Sequence, residues 1–274
     1  MKLLDQIKHL KNNVEKCLGG VGVKRGDIIL VHSDSTAFRQ ICDLSWGEAM
    51  ALLKQCFLDV LGEEGTLIVP TFNWDFCKGR TYFHERTRSQ VGMFTNSILF
   101  DKHSIRSFHP IYSFAGIGPA TIDILTDISK SSFGENSVFD KLYQKNAKIV
   151  LFYLDSNVME DNFTTTFVHY IEQKRNIDYR YIKYFKGRVS RDGEEYEDEV
   201  DYNVRYQDDP VYIDEKKILG HLLSVKRMKM VFADSGYPIS QVSCRDMHDE
   251  LMIMLDEDPY YLLKRPPRKL KKVV

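Results

Sequence analysis

The chain has 274 residues, of which 43% are hydrophobic, and its formal net charge at pH 7 is −1. That length and apolar content can support one large domain, or a domain with an appendage, around a substantial core. A net charge so close to zero offers no bulk attraction to nucleic acid or to an anionic membrane, so we expect neither as a partner.

The five cysteines do not form a recognisable disulfide or zinc pattern. Their number is odd and no pair has Cys-x-x-Cys spacing, so we expect no metal ion and a reducing, cytoplasmic location. Residues 1–8 form an amphipathic start rather than a signal peptide, and no run of about 18 apolar residues predicts a membrane span. Residues 264–272 are strongly basic, and we interpret residues 266–274 as a solvated tail.

The first part of the chain alternates between predicted helices and predicted buried strands. An amphipathic helix over residues 1–18 precedes the apolar run 28–31, which is typical of a buried strand. Ser45-Trp-Gly-Glu48 is a capping box that opens the next helix, and residues 66–69 form a second strand. A long polar stretch then reaches about Gln90. A loop of this length inside a compact domain is more often functional than incidental.

The middle of the chain predicts three short helices and further strands. The helices are expected over residues 93–100, 119–128 and 137–144, the second with proline at its first position. Residues 106–118 are expected to form a loop that feeds a strand, and residues 148–153 form the third strongly apolar strand.

The sequence changes character after residue 174. Two alternating segments flank Arg191-Asp-Gly-Glu194, and an Asp-Gly pair between such runs predicts a β-hairpin. Its polar faces predict an exposed antiparallel flap. Its aromatic residues suit stacking on a sugar or base, although strands favour aromatic residues in any case. The remaining elements are a helix over residues 214–223, a strand over 229–233 and a helix over 243–255.

These elements predict an α/β fold, a three-layer sandwich around a mainly parallel or mixed sheet, with an antiparallel C-terminal extension. We treat the chain as a single domain, with a core over residues 1–175, a β-rich extension over 176–265 and the basic tail. A polar cluster, residues 32–36, ends the first strand. In open α/β sheets, ligands bind at the carboxyl ends of the strands.

A histidine and a glutamate that follow the third strand are the leading candidates for catalysis. The preceding loop is rich in Asp, Asn and Thr, which predicts a helix that begins near Thr164. His169 and Glu172 are three residues apart, so their side chains share one helix face. An imidazole beside a carboxylate is a candidate general base with its orienting partner. The alternative is a surface pair, which is the usual meaning of an isolated match.

Several glycine and metal motifs are absent from the sequence. It contains no P-loop, no dinucleotide-binding glycine fingerprint and no nucleophile elbow. The phosphate-binding glycine signature of the common acetyltransferase superfamily is also missing. His169 and Glu172 alone supply too few ligands for a metal site.

Several segments occur in an order that carries a resemblance to a known family. They are Gly26-Asp-Ile-Ile-Leu-Val-His-Ser33, Gly65-Thr-Leu-Ile-Val-Pro-Thr-Phe72, Arg106-Ser-x-His-Pro-x-x-Ser-Phe-Ala115, Phe133-Gly-x-x-Ser137 with Leu142-Tyr143, Lys148-Ile-Val-Leu151, and Asn162-x-x-x-Thr166-x-x-His169-x-x-Glu172. Each segment alone is weak evidence for a family, but the set in this order is specific to one. Together they resemble the aminoglycoside 3-N-acetyltransferases over roughly residues 20–175.

The resemblance implies a reaction and its participants. The family transfers an acyl group from acyl-CoA to a sugar amine, on a fold unlike the common acetyltransferase fold. The resemblance implies direct transfer of the acyl group to the amine, with acetyl-CoA or another acyl-CoA as co-substrate, His169 as general base and Glu172 as its partner. The expected partners are an amino sugar and acyl-CoA, and a homodimeric assembly is left open. A non-catalytic protein that binds CoA or a sugar is the alternative.

The sequence departs from the family pattern in two places that concern the acceptor. Residues 155–161 make a longer connection than is usual in the family, and residues 207–214 match the acidic segment of the aminoglycoside enzymes only loosely. The chain also looks like relatives that acylate nucleotide-linked amino sugars for surface polysaccharides. Both acceptor classes therefore stay open.

Further site residues are expected from the strand ends and the long loop. The residues expected to bind acyl-CoA are His32, Ser33, Asp34, Ser35, Thr36, Arg106, Ser107, His109 and Phe114. The arginine suits phosphate through its fork geometry. Asn73 and Asp75 are expected to bind the acceptor, with Asp75 holding its cationic amine. The alternatives are an ordinary strand end for the first cluster, a structural turn at His109, a core position for Phe114 and surface solvation for Asp75.

Overall fold

The structure is a computed structural model that describes residues 3–154 and 165–268. Asn162, the connection over residues 155–161 and the expected helix start near Thr164 lie outside the described residues. Most of the basic tail, residues 269–274, lies outside them as well.

The described part of the chain contains ten strands in two sheets. They are β1 (Ile28–Ser33), β2 (Thr66–Pro70), β3 (Tyr82–Phe83), β4 (Ile105–Arg106), β5 (Phe114–Ile117), β6 (Lys148–Phe152), β7 (Arg180–Arg191), β8 (Glu194–Arg205), β9 (Met228–Phe232) and β10 (Pro238–Ser243). Seven strands form a central sheet in the order β4-β5-β2-β1-β6-β10-β9, and β3, β7 and β8 form a second sheet.

Nine helices accompany the strands in the described residues. They are α1 (Leu3–Gly20), α2 (Ser35–Ile41), α3 (Trp46–Leu61), α4 (Met93–Leu99), α5 (Thr121–Leu125), α6 (Val138–Gln144), α7 (Phe167–Arg175), α8 (Glu215–Ser224) and α9 (Cys244–Glu257). A short 3₁₀ turn covers Phe76–Lys78. Among the described residues, no helix is both long and apolar enough to cross a membrane.

The central sheet has a parallel middle and antiparallel edges. Strand β1 pairs in parallel with both β2 and β6, whereas β5 and β10 run antiparallel to their neighbours β2 and β6. Leu30 of β1 belongs to one hydrophobic cluster, and Ile29 and Val31 belong to the other. Both faces of the strand are therefore buried, which explains its continuous apolar run. The two clusters on either side of the sheet confirm the predicted three-layer α/β architecture.

The predicted β-hairpin is confirmed. Strands β7 and β8 pair from Arg180 with Arg205 to Arg191 with Glu194, and Asp192 and Gly193 both have positive φ in the turn. A two-residue turn of this kind matches the twist of the flanking strands. The flap is exposed on one face only: Val189 and Val200 are buried, and Asp201 accepts hydrogen bonds from Ser131 Oγ and the Ser132 amide, each at 2.6 Å.

Some predicted elements differ from those in the structure. The helix expected over residues 119–128 covers only Thr121–Leu125, so the prediction that proline begins it is wrong. Ala120 is the N-cap residue of this helix, and its amide donates to Thr66 Oγ1. Asp127, beyond the C-terminal end of the helix, has positive φ. Strand β10 and helix α2 were not predicted. Strand β10 contains buried Ser240 and Gln241, which break the apolar pattern expected of a buried strand.

Candidate active site

A cleft of about 740 Å³ opens at the carboxyl ends of the parallel strands. His32 and Ser33 of β1, Pro70 of β2 and Leu154 just after β6 line it. This is the edge of the sheet where ligands are expected in such folds. The rest of the lining comes from the long loop, the start of α4, the segment before β5, α7 with its N-cap residue, the hairpin, and the segment that leads into α8. It consists of Phe72, Trp74, Gln90, Val91, Gly92, Thr95, Tyr112, Thr166, His169, Arg180, Tyr202, Arg205, Tyr212, Ile213 and Glu215.

Helix α7 carries the predicted histidine to the cleft. Phe167, Val168 and Ile171 of this helix are fully buried in the core. The Tyr170 hydroxyl donates a 2.9 Å hydrogen bond to Asp140 on α6, which ties the two helices together. Since these contacts fix the rotation of the helix, His169 has one defined position at the cleft wall.

His169 and Glu172 form a close pair within this wall. His169 Nδ1 lies 2.6 Å from Glu172 Oε2, and the carboxylate side chain has 0% exposure, whereas the histidine side chain is 20% exposed. Arg180 of β7 completes the group, because its Nε lies 3.0 Å from the same carboxylate oxygen. The Arg180 Nη1 donates to the Asn203 carbonyl at 3.1 Å, which holds the guanidinium in place. The carboxylate therefore lies between an imidazole and a guanidinium.

The surroundings of Glu172 keep it ionised. Burial alone would raise its pKa, but the nearby charges of Arg180 and His169 outweigh burial and hold the pKa below its ordinary value of 4.5. An ionised carboxylate accepts a hydrogen bond and cannot donate one. His169 Nδ1 is therefore the protonated nitrogen of the neutral ring, and Nε2 carries the lone pair.

The surroundings of His169 keep it neutral. Burial lowers its pKa below 6.5, and repulsion from Arg180 and Arg205 adds to this effect, whereas Glu172 opposes it. Nε2 of His169 lies 3.4 Å from Nη2 of Arg180, which also lines the cleft. Nε2 therefore accepts a long hydrogen bond from Arg180, and at neutral pH its lone pair can take a proton from a group that enters the cleft and displaces this contact.

The polar cluster at the end of β1 divides into two parts. His32 and Ser33 line the cleft. Burial lowers the pKa of His32 to about 4, and its Nε2 has no hydrogen-bond partner among the described residues. Asp34 instead caps α2, since its Oδ1 accepts from the amides of Thr36 and Ala37. Asp34, Ser35 and Thr36 do not line the cleft, so the structure brings only the first two residues of the cluster to it.

The predicted residues around β5 use their polar groups inside the protein. The Arg106 Nη1 donates to the carbonyls of His84 and Thr87, and Ser107 Oγ accepts from the Phe114 amide. These bonds tie β4 and β5 to the loop before α4. None of these residues lines the cleft, so their expected role in binding acyl-CoA stays a prediction.

His109 and Phe114 are buried. His109 is 2% exposed, and its Nδ1 accepts from the amides of Ile111 and Tyr112 at 3.2 and 2.9 Å. Phe114 has 0% exposure within the core. The geometry matches the alternatives left open from sequence, which were a structural turn at the histidine and a core position for the phenylalanine.

The two residues expected to bind the acceptor shape the long loop instead. The Asn73 side chain donates to the Arg88 carbonyl at 2.9 Å and accepts from the Asp75 amide at 2.8 Å. Asp75 forms ion pairs with Lys78 and Arg80. Neither residue lines the cleft, but their neighbour Trp74 does. The loop therefore contributes aromatic surface rather than these polar groups.

Arg180 and Arg205 are site residues that the sequence analysis did not single out. They face each other across the hairpin, where Arg180 is paired with Arg205. No local signal marks them, because arginine is common on exposed strands and the cleft is formed only when the hairpin packs beside α7. Among the described residues, no group of three or more His, Cys, Asp or Glu side chains is suited to hold a metal ion.

Comparison with known proteins identifies related sequences. A family model described as aminoglycoside 3-N-acetyltransferase matches residues 30–252. The SPbeta prophage-derived aminoglycoside N(3')-acetyltransferase-like protein YokD of Bacillus subtilis (strain 168) is 28% identical over 166 residues, which cover 52% of this chain and 58% of that protein. The matched segment thus spans less than two thirds of the relative's length.

Solved structures share the fold over nearly the whole chain. The aminoglycoside acetyltransferase AAC(3)-Xa superposes with a TM-score of 0.75 at 15% identity and covers 96% of this chain and 98% of its own. The YokD structure from Bacillus subtilis has a TM-score of 0.72 at 20% identity, covering 91% and 100%. AAC-IIIb in a binary complex with CoASH has a TM-score of 0.74 at 17% identity, covering 90% and 96%. Likeness at these identities establishes the fold.

Proposed function

The chain belongs to the aminoglycoside 3-N-acetyltransferase family, and we propose that it is an acyl-CoA-dependent N-acyltransferase that acts on the primary amine of an amino sugar. The observation that carries this proposal is the 2.6 Å contact between His169 Nδ1 and the buried Glu172 carboxylate, at the wall of the cleft. The family match includes both residues.

The chemistry requires a base because a sugar amine is largely an ammonium ion near neutral pH and has no lone pair to donate. In the proposed mechanism, Nε2 of His169 takes a proton from the acceptor nitrogen. The freed lone pair attacks the thioester carbonyl carbon, a C–N bond forms, and the C–S bond then breaks. The nitrogen of the tetrahedral adduct, which is cationic after the attack, loses its second proton, the departing CoA thiolate receives one, and no covalent bond to the protein is formed.

Glu172 and Arg180 support this step through their effect on His169. The carboxylate holds the imidazole in the tautomer that leaves Nε2 unprotonated, and it stabilises the imidazolium that forms. Arg180 keeps Glu172 ionised. The three side chains thus form a prearranged set, which needs little reorganisation when the proton moves.

His32 is the described residue best placed to contact the pantetheine arm of acyl-CoA. It lines the cleft at the end of β1, and its Nε2 lacks a hydrogen-bond partner among the described residues. A buried polar atom without a partner is costly, so a ligand group that bonds to it gains affinity. AAC-IIIb, which shares this fold, has been solved in a binary complex with CoASH, which supports CoA as the acyl carrier in the proposed reaction.

The test is acyl transfer by the purified chain. We expect acetyl-CoA and a panel of amino sugars to release free thiol and to yield an acylated amine detectable by mass spectrometry. Thiol release that does not depend on an added amine would indicate a hydrolase. Tight CoA binding without turnover on any amine would instead support the non-catalytic alternative.

A further inference from the structure

Two like charges face each other at the cleft. Arg180 and Arg205 are directly paired across β7 and β8, so their side chains lie on the same face of the hairpin. Directly opposed like charges destabilise a hairpin unless other groups compensate them. For Arg180 the compensation is visible in the ion pair with Glu172 at 3.0 Å.

Arg205 differs from its partner in its contacts. Its guanidinium stacks over the ring of Tyr212, 4.6 Å from the centroid, and both side chains line the cleft. A guanidinium carries five N–H donors in a planar fork that suits phosphate or carboxylate. Stacking on a ring leaves the edges of that fork available.

The part of the cleft lining that the structure describes carries few acidic side chains that could attract a polycation. Among the described lining residues, Glu215 is the single carboxylate, and it already has a contact of its own. Glu172 is fully buried behind His169 and paired with Arg180. An acceptor with several ammonium groups would therefore meet two arginines, whereas an acceptor with an anionic group would find a partner for Arg205.

We propose that Arg205 binds an anionic group, a phosphate or a carboxylate, on the acceptor, and that the natural acceptor is an anionic amino sugar rather than a polycationic one. This inference rests on the proposed function, because it assumes that the chain transfers an acyl group to an acceptor. Arg205 lies beside Arg180, whose Nη2 is 3.4 Å from His169 Nε2, so the anion would be bound close to the reacting amine. The phosphates of acyl-CoA lie at the far end of the pantetheine arm from the thioester, which makes them the less suitable source.

The test uses inorganic phosphate as the probe and one matched control. Phosphate is titrated onto the wild-type chain, Arg205→Gln and Arg188→Gln, with binding followed by calorimetry or phosphorus NMR. Arg188 is an exposed arginine on the same hairpin that does not line the cleft, so its substitution removes the same charge elsewhere. We expect Arg205→Gln to weaken phosphate binding by roughly 10- to 100-fold, the loss typical of one hydrogen-bonded charge. The Arg188→Gln variant should bind as the wild type does.

Repeating the titration with saturating CoA, and separately with acetyl-pantetheine, distinguishes the source of the anion. Phosphate that stays bound beside both compounds supports an acceptor site. Displacement by either compound overturns the proposal, because Arg205 would then lie in the acyl-CoA site. Equal phosphate binding by the wild type and Arg205→Gln also overturns it. Failure of acyl transfer on every amine, with phosphate binding intact, would refute the proposed function and not the anion site.

Discussion

Nδ1 of His169 lies 2.6 Å from Oε2 of Glu172, and the carboxylate is wholly buried while the imidazole is partly exposed. The pair therefore has an inner and an outer member. The inner carboxylate determines which ring nitrogen is protonated, and the outer imidazole presents the other nitrogen to the cleft.

Removal of the His169 imidazole should remove the base. We expect His169→Ala and His169→Asn to lower kcat by roughly 10²- to 10⁴-fold with an acceptor that the wild type acylates, the range typical of a general base. Thiol release from acetyl-CoA measures the rate. His103→Ala is the matched control, because His103 is exposed and does not line the cleft, and it should leave the rate unchanged. Near wild-type turnover in a folded His169 variant would refute the assignment.

The pH dependence of kcat/KM should reveal the lowered pKa of His169. Because burial and two arginines hold this pKa below 6.5, the acid limb of the profile should have its midpoint below pH 6.5. Arg205 disfavours the imidazolium, so Arg205→Gln should move the limb to higher pH. The Arg188→Gln variant should not move it. An acid limb that stays in place or moves to lower pH in Arg205→Gln would contradict this electrostatic account.

Loss of the Glu172 charge should destabilise the fold as well as the site. Glu172→Gln leaves Arg180 buried, at 4% exposure, without its countercharge, and breaking a buried pair in this way costs roughly 3–5 kcal/mol. Urea unfolding at pH 7 measures the free energy. Glu135→Gln, at an exposed position, is the control and should change the free energy of unfolding by no more than about 0.5 kcal/mol.

The same pair should make stability depend on pH in the acid range. The folded-state pKa of Glu172 is below 4.5, so the stabilisation is complete above about pH 4.5 and declines as the pH falls through the folded-state value. The difference in unfolding free energy between the wild type and Glu172→Gln should therefore shrink as the solution is acidified below pH 4.5. A difference that stays constant from pH 7 down to the acid transition would show that the carboxylate is not held ionised by the fold.

His109 offers a direct comparison between a structural and a ligand-binding residue. His109→Ala leaves the buried amides of Ile111 and Tyr112 without their acceptor, at a cost of roughly 1–3 kcal/mol for each group left unpaired. We expect a lower melting temperature and an unchanged KM for acyl-CoA in the folded fraction. The opposite result, a raised KM with unchanged stability, would show that His109 contributes to acyl-CoA binding.

Much of the local structure was predictable because it depends on residues close together in the chain. The Ser45 cap bonds only as far as Glu48, and the Asp192–Gly193 turn needs only its own backbone angles. The helical spacing of His169 and Glu172 likewise holds in any helix that includes both. The apolar runs predicted the buried strands of the central sheet because each run is buried on both faces. The helix start wrongly placed at Pro119 and the strand β10, which was not predicted, concern segments whose conformation depends on distant partners such as Thr66 and β6.

The sequence by itself determined the α/β class, the hairpin, the His169–Glu172 pair and the resemblance to a family. Only the tertiary structure decided which polar residues reach the cleft. It placed His109 in the core and brought Arg180 and Arg205 beside the histidine. The physical reason is that burial and charge at a site depend on which distant segments pack together. The register of β7 against β8 and the packing of the hairpin beside α7 join residues that no local pattern relates.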